Sequence, residues 1–281
     1  MPDIVLPQDS HSSLTSAAIA ILGERDPQEK ARLSRKAASA WREGRLRQPE
    51  PGDPSPPDRP GRPERPELRL PRDMPKRRKG YSPETRIALM HALAHIELNA
   101  IDLAWDIVCR FPEEEMPREF HDDWIKVGDD EAKHFLMLAD RLAALGAAYG
   151  DLPAHDGLWQ ASEATAHDLA ARLAVVPMVL EARGLDVTPA MIDNLIRAGD
   201  QESAAALQII HDDEITHVAA GTRWFRYLAD KRGWSDPLPS WQELVRAHFR
   251  GQLKRPFNVP SRDLADFPQD WYEPLADTDW F

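Results

Sequence analysis

Two short strings hold the chemistry this chain offers most clearly: Glu131-x-x-His134 and Glu214-x-x-His217. Residues three apart share one face of a helix, so each string can turn a carboxylate and an imidazole toward a single ion. A further glutamate precedes each string. Glu97 lies 34 residues before Glu131, and Glu181 lies 33 residues before Glu214. One Glu from each of two helices, with a Glu-x-x-His from each of two more, is the ligand set by which a four-helix bundle holds two metal ions. A single Glu-x-x-His is close to chance in a chain of this size. Two copies, each with an inward Glu at a matched interval, are much harder to dismiss.

In that arrangement Glu97 and Glu181 are terminal ligands, Glu131 and Glu214 bridge, and His134 and His217 each cap one ion through a ring nitrogen. Two divalent ions would neutralise the four carboxylates, which would otherwise be hard to bury together. The oxygen-rich donor set favours two iron ions, with manganese, or zinc in vitro, as alternatives. The types and spacing single out no catalytic residue beyond these ligands.

The elements that must position the six begin at Ser82-Pro83-Glu84, a cap, a first-turn proline and a first-turn acid. Helix one is expected from there to about Arg110, with Leu93, Glu97, Ile101, Ala104 and Val108 on one stripe. Helix two is expected from about Pro117 to Gly146, with Val127, Glu131, His134, Leu138 and Leu142 inward. Residues 147–158 are turn-rich and, fully extended, would reach roughly 40 Å, enough to return along a bundle. Helix three is expected from about Trp159 to Ala182. It should be kinked at Pro177, end at Gly184, and be followed by a separate piece from Thr188-Pro189 to about Ala198. Helix four follows over about 201–230, with Leu207, Ile210, Glu214, His217, Gly221 and Trp224 inward. This layout puts Glu181 only a few residues from a helix end, while the other glutamates sit about 14 residues deep.

Other groups near the six have expected supporting roles. His91 and His95 form a polar edge or an outer layer of the site. Asp130 and Asp213 could bond the outward nitrogen of a ligating His on another helix. His211 could enter the site, and Tyr149 is expected to pack. Before the bundle, residues 14–42 read as a short helix and a longer one divided at Asp26-Pro27, and residues 1–13 as frayed. Ten prolines over 49–75 favour extended chain, either a linker or a strap anchored by Leu68 and Leu70. The basic run Lys76-Arg-Arg-Lys79 follows, a solvated face or a phosphate contact. After the bundle, a last helix is expected from Trp241 to Phe249, with an extended aromatic tail beyond Pro256. The divisions are therefore 1–48, 49–81, 82–232 and 233–281.

Composition bounds the rest. Of 281 residues, 47 are acidic and 35 basic, for a net charge of −12, which weighs against broad binding to nucleic acid or acidic lipid. The lone Cys109 excludes an intramolecular disulfide and a four-thiolate cluster, and is expected to pack. Neither a secretory signal nor a membrane span is expected, so the expected location is cytoplasmic.

Five strings carry a family resemblance: His91-Ala-Leu-Ala-His-Ile-Glu97-Leu-Asn-Ala-Ile-Asp-Leu-Ala-Trp105, Asp130-Glu-Ala-Lys-His134-Phe, Tyr149-Gly-Asp-Leu-Pro-Ala-His155-Asp-Gly-Leu-Trp159, Glu181-Ala-Arg-Gly-Leu-Asp186-Val-Thr-Pro189 and Asp213-Glu-Ile-Thr-His217-Val. Together they resemble a bacterial family of uncharacterised ferritin-like proteins, classed as a domain of unknown function, over about residues 14–270. More distantly the core resembles the tRNA hydroxylase branch of ferritin-like di-iron proteins, and ferritins. The resemblance implies an all-α, ferritin-like four-helix bundle with N-terminal helices, a proline-rich strap and a C-terminal extension. It implies a di-metal site at the six residues above and no particular reaction. The long additions at both ends argue against cage assembly and iron storage.

The expected function is a di-iron carboxylate oxidoreductase that activates O₂ to oxidise or hydroxylate a small molecule or an RNA. No Gly-x-Gly-x-x-Gly string marks a nicotinamide site, so electrons would come from an external donor. The alternatives are metal handling without turnover (ferroxidase, buffer or sensor) and a structural di-metal bundle. A monomer or small homo-oligomer without membrane contact completes the expectation.

Overall fold

The computed structural model describes residues 13–74 and 82–276. The basic run at 76–79, residues 1–12 of the stretch 1–13 expected to fray and Trp280 lie outside them, while Ser13 is ordered as a helix cap, accepting from Ser16 N at 3.0 Å. The described residues are all-α: they form helices and turns, with isolated bridges and no sheet. The chain divides into two compact units, Met1–Lys76 with Ile87–Asp156, and Arg77–Arg86 with Gly157–Phe281.

The first unit holds α1 (Leu14–Gly23), α2 (Pro27–Arg42), most of α3 (Pro83–Arg110) and α4 (Arg118–Ala144). Asp26 caps α2 by accepting from Gln28 N and Glu29 N, with Pro27 in the first turn. Leu33, Ala37 and Trp41 then form the buried stripe that helical spacing predicts. Three helices meet at one small residue. A Cβ on Gly128 of α4 would fall 2.7 Å from Trp105 Nε1 of α3. That indole donates to Ser34 Oγ of α2 at 2.6 Å, and Ser34 donates to the Gly128 carbonyl at 2.6 Å.

The proline-rich stretch is a strap within this unit, although Leu68 and Leu70 do not anchor it: they are 41% and 48% exposed. Polar contacts hold it instead. Gly61 N donates to Leu22 O, Arg62 donates to Asn99 and pairs with Asp102, and Arg59 pairs with Asp156. Residues 67–69 pair with Ala154 through two backbone hydrogen bonds. Because Tyr149, Gly150 and Ala154 are tied to α3 and the strap, this part of the 147–158 segment is a folded turn, not a fully extended return.

α3 is apolar enough by length and hydropathy to cross a membrane, with most of that window buried. Its Asp102 is also buried, between Lys30 and Arg62. A core helix with paired charges fits these facts.

The second unit corrects the expected third helix. α5 (Gly157–Ala164) ends at a turn, and Asp168 caps α6 (Leu169–Val175). A π-helical segment, Val176–Glu181, leads directly into α7 (Ala182–Arg197). The helix passes through Gly184 and Pro189, so the expected stop at Gly184 and separate piece at 189–198 do not exist. The reason is chemical. Pro189 has no N–H for the Leu185 carbonyl, and Asn258 Nδ2 donates to that carbonyl at 3.0 Å instead. Pro177 lies in the first turn of the wider π segment, and the helix continues through it. Glu181 therefore lies roughly 20 Å from either end of a continuous helix, not at its margin.

α8 (Gln201–Lys231) returns beside α7, capped by Asp200. A Cβ on Gly221 would lie 2.5 Å from the Pro177 Cβ, so α8 approaches the π segment as closely as backbone allows. The C-terminal extension is helical as well as aromatic: α9 (Pro237–His248) is the expected last helix, beginning a few residues earlier, and α10 (Val259–Leu264) and α11 (Gln269–Tyr272) replace the expected extended tail beyond Pro256. Trp241, Phe267 and Trp271 pack together, and Arg262 pairs with the buried Asp186 of α7 at 2.8 Å while lying over Tyr272.

Candidate metal centre

Each unit carries half of the ligand set read from the sequence. In the first, α3 presents Glu97 and α4 presents Glu131 and His134. Their exposures are 3%, 0% and 0%, and their ligand atoms lie within 4.8 Å of one another. His134 Nδ1 stands 3.2 Å from Glu97 Oε2 and 3.5 Å from Glu131 Oε2. Apolar neighbours on the same helices, Ile101, Val127, Phe135 and Leu138, are buried too.

Burial, and then the neighbouring Glu131 carboxylate, push the Glu97 carboxyl well above the ordinary range. Two carboxylates in a dry site resist ionising together unless a cation offsets them. An imidazole nitrogen beside two such oxygens completes a donor set suited to a divalent ion, so these residues fit a metal.

In the second unit, α8 presents Glu214 and His217, which are 8% and 0% exposed. His217 Nδ1 lies 3.6 Å from Glu214 Oε1. The same ring nitrogen thus faces the carboxylate three residues earlier in both strings. Glu181, half-buried, closes the π segment where that segment gives way to α7. A widened turn re-aims the side chain at its end, and such bulges recur at functional sites.

His91, His95, Tyr149 and Cys109 are satisfied polar and packing residues, as expected, while Asp130 and His211 have other partners. His95 Nε2 meets the His155 carbonyl at 3.0 Å and so donates to it, leaving Nδ1 to accept from the Tyr149 hydroxyl at 2.9 Å. Burial holds the His95 imidazole down to about 4, which keeps it neutral. His91 Nε2 accepts from Gly150 N at 3.0 Å. These histidines fasten the loop after α4 onto α3, with Tyr149 stacked on both. Asp130 forms ion pairs with Lys126 and Lys133 on its own helix. His211 Nε2 lies 3.3 Å from Ser261 Oγ of α10. Cys109 is buried and donates to the Trp105 carbonyl, as packing requires.

Sequence reasoning missed the charged residues behind α3. Lys30, 1% exposed, and Arg62 both pair with Asp102, which is wholly buried. Asp102 follows Glu97 by five residues, and an acid within an apolar stretch was the available signal. Gly128 and Gly221, glycines inside long helices, were the available signal for close helix contacts.

The family model that matches is "Protein of unknown function (DUF455)", over residues 23–273. A Haemophilus influenzae relative, named only as an uncharacterized protein, is 40% identical over 220 residues, covering 74% of this chain and 74% of that one. No solved structure matches. These matches reach the family and say nothing of the tRNA hydroxylase branch. With nearly the whole chain covered, including both Glu-x-x-His strings, this protein belongs to the DUF455 family.

Proposed function

We propose that the chain is a di-iron carboxylate oxidoreductase. The observation that carries this reading is the buried Glu97–Glu131–His134 cluster, in which burial and a second carboxylate disfavour the ionised Glu97. Glu97, Glu131 and His134 in the first unit, and Glu181, Glu214 and His217 in the second, would hold the metal. When bound, a pair of ferrous ions supplies electrons for the reduction of O₂.

The chain's own residues have separable tasks. Glu131 and His134, one helical turn apart, hold their ligand atoms on a rigid face of α4. Ile101, Val127 and Leu138 keep bulk water from the carboxylates, which strengthens their hold on a cation. Tyr149 and His95 fix the loop beside α3. An external donor would return electrons, and the substrate would be a small molecule or an RNA.

The complete burial of Glu131 and His134 also suits metal handling without turnover. Iron content of anaerobically purified protein, followed by O₂ uptake of the ferrous form, separates oxidation chemistry from an iron buffer or sensor. The oxidoreductase reading expects about two irons per chain, rapid O₂ consumption, and loss of iron in Glu131→Ala and Glu214→Ala. Unchanged iron in both variants would refute the site. Full iron content without O₂ uptake would leave metal handling.

A further inference from the structure

Away from the carboxylate half-sites, the second unit places two histidines together that no part of the proposed centre uses. His167 is exposed on the turn between α5 and α6, and His248 is the last residue of α9. Their ring centroids are 5.1 Å apart and the planes are inclined by 51°. That inclination is not the parallel offset of stacked rings. The separation matches that of two rings sharing one ion. Imidazole nitrogens bind zinc at about 2.0–2.1 Å, so two rings on one tetrahedral ion have centroids roughly 5 Å apart.

The surroundings favour a neutral His248 imidazole and a light coordination sphere. Partial burial, and then the proximity of His167, lower the His248 pKa, with Arg250 acting in the same direction and Asp168 opposing. Asp168 is already engaged: it pairs with Arg232 at 2.7 Å and caps α6 by accepting from Ala171 N. Water would fill the remaining positions. A nitrogen-donor pair of this kind prefers zinc, nickel or copper to the harder ferrous or manganous ions that suit the carboxylates.

We propose that His167 and His248 form a second, exchangeable site for a borderline divalent cation, which ties the end of α9 to the turn before α6. The probe is Ni²⁺, titrated calorimetrically into the full chain and into His167→Ala, His248→Ala and the double variant. Circular dichroism would confirm the fold, and His167 is exposed enough for its loss to leave the core intact. Wild type should bind one more nickel ion per chain than any of the three variants, while the ions taken by the carboxylate centre stay the same in all four. Nickel should also raise the melting temperature of wild type more than that of the variants. Equal stoichiometry in wild type and variants would overturn the site. Loss on one single substitution but not on the other would overturn the pairing.

Discussion

Two buried titratable groups, Asp102 and His121, respond to substitution in opposite ways. Asp102 is the partnered case. Removing its carboxylate leaves the Lys30 ammonium, 1% exposed, without its counter-charge. Asp102→Ala should cost about 3–5 kcal/mol in urea unfolding, and Lys30→Met combined with it should recover part of that loss. His121 is the neutral case. It is 6% exposed, edge-on to Trp41 and Phe120, and burial lowers its pKa to about 4. The folded state therefore disfavours the proton that the unfolded chain accepts near 6.5. Its contribution is complete above pH 6.5 and is lost as pH falls toward 4, by about 3 kcal/mol in the limit. Urea unfolding at pH 7 and pH 4.5 should show a smaller acid loss for His121→Phe than for wild type.

The helices are set by where backbones can approach. Gly221 allows α8 to lie on Pro177, and the π segment that accommodates Pro177 ends at Glu181. Gly221→Ala should therefore do two things. Overpacking should lower stability by about 1–3 kcal/mol. Metal affinity should also fall more than in an equally destabilised variant remote from the π segment, read as retained iron after dialysis. Much of this level was legible in the sequence: α3, α4 and α8 lie within a few residues of their expected bounds, because Pro83, Pro112 and Gly199 punctuate strong helical patterns. α7 was not legible. Pro189 reads locally as a helix start, and only Asn258, distant in sequence, satisfies the carbonyl that this proline leaves. The helical extension after Pro256 was hidden for a similar reason, since Arg262 is ordered by Asp186 and three aromatic rings.

For the molecule as a whole, each compact unit carries one Glu-x-x-His and one earlier Glu. Metal held by these residues stabilises the folded protein by mass action. Chelation should lower the melting temperature of the loaded protein by several degrees. His217→Ala should remove most of that metal-dependent gain while changing the chelated melting temperature little. Scanning calorimetry with and without chelator checks both.

The sequence by itself determined the candidate ligand types, their pairing along helix faces and the all-α class, because spacing of three and helical periodicity are local properties. Burial of Glu97, Glu131 and His134 to within 4.8 Å, the orientation of both Nδ1 atoms and the π turn before Glu181 were decided only by tertiary packing. A side chain's desolvation depends on neighbours far along the chain, and no local pattern encodes which carbonyl a distant asparagine will reach.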